Sequence, residues 1–227
     1  KPDTKFGSLP QPDFPKSTVS TSNFSYSLDT TTGVLPKVGI DPGFEKNIKV
    51  YFVTQTFATL LSPERSTTLA QKFGISTPPE ILNETKYRFK DQDKSLLVNL
   101  DNGNFSYVSG ATVSGTTTFD DDNKLVSDFE QTLSNLGVFK DDLKNGRNKV
   151  TKVAQAVQIS LWPGPIDKKS IFTADFNSSL VTATITEKAN DLDDYQSLNF
   201  TYYPVDTSTF ATYPIKTADV AFKELTE

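Results

Sequence analysis

The stretch from Ser62 to Gly110 constrains this chain more than any other, because it carries a helix start, a helix stop and three alternating runs in unbroken order. Ser62-Pro63-Glu64 reads as a helix N-terminus: a hydroxyl accepts an orphan N–H, proline sits where no donor is needed, and a carboxylate meets the positive end of the dipole. Phe73-Gly74-Ile75 reads as the stop, with glycine left-handed at C′ and Ile75 folded back on Leu69 or Ala70 in a Schellman motif. The helix between is about three turns long.

Beyond Pro78-Pro79 the apolar period becomes two. Tyr87 and Phe89 share a face, then Leu96, Val98 and Leu100, then Phe105 and Tyr107, the pattern of half-buried antiparallel strands. Asp91-Gln92-Asp93-Lys94 separates the first pair, and Asn102-Gly103 separates the second, suited to a type I′ turn.

The same order recurs downstream. Asp120-Asp121-Asp122-Asn123 is an acidic helix start, Val126, Phe129, Leu133 and Leu136 form one helical stripe, and Leu136-Gly137-Val138 repeats the earlier ending. Val153, Val157, Ile159 and Leu161 then alternate as a strand up to Pro163-Gly164-Pro165, and Ile171-Phe172, Val181-Ala183-Ile185 and Leu198-Phe200-Tyr202 read as further strands. Upstream, Phe24-Tyr26-Leu28 and Val34-Leu35 suggest a hairpin, and Ile48–Val53 a strand feeding the first helix.

These patterns predict a strand-rich α+β fold of two similar helix-plus-antiparallel-sheet modules, repeating at roughly 60 to 80 residues. Residues 1–22, with Pro2, Pro10, Pro12 and Pro15, read as a Pro/Ser/Thr-rich linker, with an ordered arm lying across the domain as the alternative. Residues 23–115 make the first module and 116–227 the second. A helix starting at Thr217-Ala218-Asp219 ends the chain at Glu227 without a glycine cap, as though cut short.

Composition enters where chemistry is asked for. Cysteine and histidine are both absent, which excludes thiolate and Ser–His–Asp catalysis, disulfides and Cys-ligated metals. A formal net charge of −5 without a basic stripe argues against nucleic acid. No phosphate loop or cofactor fingerprint occurs, so the expectation is a non-enzymatic chain with no cofactor. Methionine is absent, including at position 1, so the natural chain is expected to extend upstream and any membrane attachment to lie in a segment outside this sequence.

Leu100-Asp101-Asn102-Gly103-Asn104-Phe105 sits as a hairpin turn after the helix and strands, and this order resembles the PepSY-like extracytoplasmic modules of bacteria. Those modules carry a hydrophobic–Asp–x–x–Gly–x–hydrophobic turn, and this chain has one residue fewer at that spacing. The tandem arrangement over Ser62 to Glu227 is similar to membrane-anchored regulators whose outer domains bind a histidine kinase or a cell-wall enzyme. The resemblance implies binding or inhibition rather than catalysis, an extracytoplasmic or cell-surface location and a protein partner at the envelope.

Two other classes stay open. Acidity, Ser/Thr richness and missing cysteine fit a structural or adhesive surface-layer module. A carbohydrate-binding or carbohydrate-active domain would use Trp162, Tyr202 and Tyr203, with Tyr213 elsewhere, as an aromatic surface, against the plainer reading of core or hairpin-cover packing. Asp120, Asp121 and Asp122 are oxygen donors for calcium, though without the spacing of an EF-hand, and Asp191, Asp193 and Asp194 form a second acidic group; capping and a polar loop explain both. Asn-x-Ser/Thr acceptor patterns occur at Asn23, Asn83, Asn104, Asn177 and Asn199.

Overall fold

The computed structural model describes residues 2–9, 46–112, 119–153, 155–171 and 180–217. Among them are three α-helices and ten strands in two antiparallel sheets, an α+β and strand-rich architecture. The chain forms two compact units: residues 2–9, 46–53 and 205–217 belong to one, and 54–112, 119–153, 155–171 and 180–204 to the other. The hairpin expected over 24–35, the helix expected after Thr217 and the strand at Ile171-Phe172 lie wholly or partly outside the described residues. So does the boundary expected between 115 and 116, which falls within the second unit's span of sequence.

The larger unit opens with α1 (Ser62–Lys72). Ser62 lies inside the helix rather than capping it: Leu61 occupies the cap position, and the Ser62 hydroxyl accepts the Thr59 N–H at 2.9 Å, one turn upstream. The stop is the expected one. Gly74 has φ 75°, its N–H reaches the Gln71 carbonyl, and the Ile75 N–H reaches Ala70, both at 2.9 Å. The Lys94 ammonium adds a third contact, to the Phe73 carbonyl at 3.4 Å.

Four strands follow as a meander: β2 (Glu80–Asn83), β3 (Lys86–Asp91), β4 (Lys94–Asn99) and β5 (Phe105–Val108). Gln92, at φ 50°, opens the two-residue β3–β4 turn. The β4–β5 connection is longer than a type I′ turn. Asn99 N–H pairs with the Asn104 carbonyl, Gly103 N–H returns to the Asn99 carbonyl, and only Gly103 takes a positive φ, 73°. Leu100 is buried in this loop, which is why two extra residues are accommodated.

The chain continues with α2 (Asp122–Leu136), the short α3 (Asp141–Lys144), β6 (Arg147–Val153), β7 (Ala156–Trp162), β8 (Val181–Ile185) and β9 (Tyr195–Phe200). The single strand expected from Val153 to Leu161 is instead a hairpin, because Val153 pairs with Ala156 and Arg147 with Trp162. Asp121 caps α2, accepting the Asn123 and Lys124 amides at 3.0 and 3.1 Å, and Gly137 at φ 81° ends it. Lys72 of α1 donates to the last carbonyls of α2, Asn135 at 2.9 Å and Leu136 at 3.0 Å.

All eight strands form one sheet in the order β2-β3-β4-β5-β9-β8-β7-β6. Registers align one apolar row across it, Phe89–Leu96–Tyr107–Leu198–Ala183–Ile159–Val150, with a second, Tyr87–Val98–Phe105–Phe200–Val181–Leu161, beside it. The helices cover this face, α1 over β3 and α2 over β6 and β7, closing a core that includes Phe73, Leu125, Phe129 and Leu133. Phe73 stacks on Tyr107 with centroids 4.3 Å apart and meets Phe105 edge-on at 5.8 Å. Alternation sends a different row to the opposite face: Arg88–Leu97–Ser106–Asn199–Thr182–Ser160–Lys149.

The smaller unit is a two-stranded antiparallel ribbon of β1 (Asn47–Val53) and β10 (Val205–Pro214). Pairing runs from Asn47↔Pro214 to Tyr51↔Phe210 and resumes at Phe52↔Asp206, so residues 207–209 bulge out. Asp206 organises that bulge, accepting the Ser208 amide at 2.9 Å and its hydroxyl at 2.6 Å. Of the segment read as a linker, residues 2–9 lie against β10. Thr4 N–H meets the Thr212 carbonyl, Asp3 accepts the Thr212 N–H at 2.9 Å, and the Tyr213 hydroxyl donates to Gly7 at 2.8 Å.

Phe73→Ala is expected to lower unfolding free energy by about 3–5 kcal/mol, because it empties the ring stack beneath α1. Gly137→Ala should cost about 1–2 kcal/mol from backbone strain alone, since an added Cβ meets only the Lys72 ammonium at 3.6 Å. Urea titration of each variant reads both. A pH dependence follows from Asp206, whose pKa is pulled down from 3.8 to about 2 by hydrogen bonds from the Ser208 and Thr209 side chains and from the Ser208 amide. A depressed carboxyl pKa supplies stability that is complete above the unfolded value and lost as pH falls through the folded one. The Ser208 amide proton resonance should therefore titrate with a midpoint near 2 rather than 3.8, and Asp206→Asn should abolish the step.

Candidate functional site

Of the aromatic residues singled out in the sequence, Trp162 and Tyr202 flank the corner around α3, by separate routes. Leu143 is buried and anchors this four-residue helix. Gly146 then lets the chain pass over the end of β7: a Cβ there would lie 1.8 Å from the Trp162 carbonyl oxygen, so no side chain is tolerated. Beyond the strand, Gly164 donates its N–H to the Asp142 carbonyl at 2.7 Å, closing the corner from the other side.

Trp162 ends β7 on the alternation that faces away from the helices, paired with Arg147 across the hairpin. The Arg147 guanidinium lies 4.3 Å from its ring, a cation–π contact. The indole Nε1 is buried and has no hydrogen-bond partner among the described residues. Tyr202 instead packs against the core, and its hydroxyl donates to the Asp142 carboxylate at 2.8 Å. Burial and that neighbouring carboxylate both push the Tyr202 phenol well above its ordinary pKa, so it remains a donor. The Lys140 ammonium stands 6.0 Å over the Tyr202 ring. Tyr203, the next residue, is exposed. Tyr213 lies in the other unit on β10, buried and bonded to Gly7.

The acidic groups are engaged in local structure. Asp121 caps α2, and Asp120 pairs with Lys124 at 3.2 Å. Asp122 stands in the first turn of α2. Asp191 caps a 3-10 helix (Leu192–Asp194) by accepting the Asp193 N–H at 3.1 Å, and Asp193 bonds Lys94 at 2.8 Å. That bond raises the Lys94 pKa. Asp194 accepts the Lys188 N–H at 3.0 Å, while burial raises its pKa. Among the described residues no group of three or more acidic side chains is arranged to hold a metal ion.

The acceptor asparagines differ in access. Asn83 is exposed at the end of edge strand β2, and Asn199 is exposed where it accepts the Ser106 hydroxyl at 2.6 Å. Asn104 has its Nδ2, the atom that glycosylation uses, buried, and its oxygen accepts the Tyr202 N–H at 2.9 Å. Asn23 and Asn177 lie outside the described residues.

Sequence reasoning passed over two features of this unit. One is the loop before α1, where Phe57, Leu60 and Leu61 are exposed at 73%, 100% and 53%. The Ala58 N–H to the Asp101 carboxylate at 2.9 Å and the Thr59 N–H to Ser62 hold this loop in place. The apolar run was its visible signal. The other is Gly146, whose role depends on a strand end that arrives 16 residues later, so nothing local marks it.

The chain is a strand-rich α+β protein whose eight-stranded sheet carries helices on one face. No family model, curated protein or solved structure matches the chain. No described helix is long and apolar enough to cross a membrane.

Gly146→Ala is expected to destabilise the larger unit by about 3 kcal/mol, because the end of β7 must move away. Trp162 is the sole tryptophan, so its emission should shift to the red in the native baseline if the corner opens as the clash requires.

Proposed function

We propose that this chain is a non-enzymatic interaction or regulatory domain of a membrane-anchored bacterial protein, extracytoplasmic or cell-surface, that binds a protein partner at the envelope. The observation that carries this reading is the ordered display of Phe57, Leu60 and Leu61 to solvent ahead of α1. Apolar side chains held outward by a bonded loop favour a partner surface, since a loop without one gains by turning them inward. The acidic residues add to it: those in the clusters cap, pair or close turns, tasks that account for their charge.

The strand order supports the tandem-module part of the proposal. α1 followed by β2 to β5, and α2 with α3 followed by β6 to β9, are each a helix-led meander, and their last strands adjoin. Both long helices end on a positive-φ glycine followed by an aliphatic residue.

Placing a photo-crosslinking amino acid at Leu60 in the natural full-length protein tests the reading in cells of the source organism. One discrete envelope protein should be captured, and Phe57→Ser with Leu61→Ser should cut capture about tenfold while leaving the urea midpoint unchanged. An adduct no stronger than that from a control position at Gln131 on α2, or turnover of a wall substrate by the purified chain, would overturn it.

A further inference from the structure

The face of the eight-stranded sheet opposite the helices has a charge pattern at odds with the chain as a whole. Its cross-strand row begins at Arg88 on β3 and ends at Lys149 on β6. Between them lie Leu97, Ser106, Asn199, Thr182 and Ser160, of which Asn199 is exposed, Ser160 is buried and the other three are half-buried. Six strand spacings separate the two cations, roughly 29 Å at about 4.8 Å per step. More cations flank each end: Lys86 and Lys90 alternate with Arg88 on β3, and Arg147 with Lys149 on β6. Among the described strands, Glu80 is the one carboxylate on this face, and it is spent at the rim, 3.4 Å from Arg88. The formal net charge of the chain is −5.

We propose that this face binds a linear acidic polysaccharide laid across the strands, its carboxylates held at the two basic ends and its hydroxyls met between them by Ser106 and Asn199. Charge complementarity selects an anionic ligand, because two basic ends on a net-acidic protein attract a polyanion to this face and repel it elsewhere. The middle of the row selects a sugar chain over an acidic peptide. Backbone groups in mid-sheet already pair with neighbouring strands, so an extended peptide has no ladder to join there; it would need a sheet edge. Hydroxyl and amide side chains donate and accept at once, which suits sugar hydroxyls. Trp162 stands on the same alternation as Ser160, two residues further along β7, and offers an apolar body beside the row. This proposal does not rest on the protein-binding reading, since the loop before α1 is a different surface.

Isothermal titration of the full chain with hexagalacturonate, digalacturonate and neutral maltohexaose tests it. Hexagalacturonate should bind saturably, and weaken as salt rises. Digalacturonate, too short to reach both ends, should bind at least about tenfold more weakly, and maltohexaose should not bind measurably. Arg88→Gln and Lys149→Ser should each weaken hexagalacturonate about threefold to tenfold. Lys152→Ser, on the same strand but the opposite alternation, should leave it unchanged. Variant folding is checked by the urea midpoint. No saturable binding of hexagalacturonate, equal binding of maltohexaose, or equal losses from Lys152→Ser and Lys149→Ser would overturn the proposal. Equally tight binding of a glutamate oligomer or a single-stranded DNA would overturn the saccharide assignment.

Discussion

The larger unit depends on one seam, the pairing of β5 with β9. Every other neighbouring pair in the eight-stranded sheet joins strands consecutive in the chain, whereas this pair joins the ends of two separate meanders. It is fastened on both faces. Toward the helices, Phe105 and Phe200 stack nearly parallel, 7° apart with centroids at 5.4 Å, and Phe105 also carries the ring of Phe73. On the other face the Ser106 hydroxyl donates to Asn199. Cross-strand aromatic pairs of this kind each contribute a few tenths to about 1 kcal/mol, and here they also join the apolar faces of the two meanders into one.

The elements themselves were legible because each is specified locally. Period-two apolar runs placed β3, β4, β5, β8 and β9, and a glycine followed by an aliphatic residue placed both helix stops. The seam was not legible, since Phe105-Tyr107 and Leu198-Phe200 look like any other half-buried strands and nothing near them names a partner. Ser62 misled for a related reason: its hydroxyl serves an amide upstream, a choice made by the loop that precedes it. β10 was missed because a two-stranded ribbon buries little, so Val205–Pro214 lacks the sustained alternation of a core strand. Of the aromatic candidates, type and approximate place could be read, but not that Trp162 faces the polar side while Tyr202 packs on the core.

Charge in this molecule follows position rather than composition. Carboxylates gather at helix starts and turns, where unpaired amides await an acceptor. Two lysines do the converse work at helix ends, Lys94 at the Phe73 carbonyl that follows α1 and Lys72 at the last two carbonyls of α2. The Lys72 contact is the more consequential, because it joins the helices of the two meanders as the β5–β9 pairing joins their strands. The face opposite the helices is left to neutral side chains with cations at its margins.

The seam also sets a waiting time during synthesis. Ser106 and Asn199 are 93 residues apart, so at about 5–20 residues per second the first meander emerges from the ribosome roughly 5–20 s before its neighbour is complete. Throughout that interval β5 is an unpaired edge with Phe105 and Tyr107 on one side, the kind of strand another nascent chain can extend. Its brevity, four residues closed by the turn at residues 100–104 on one side and Ser109-Gly110 on the other, limits how much of a stranger it can pair with before the rightful strand arrives.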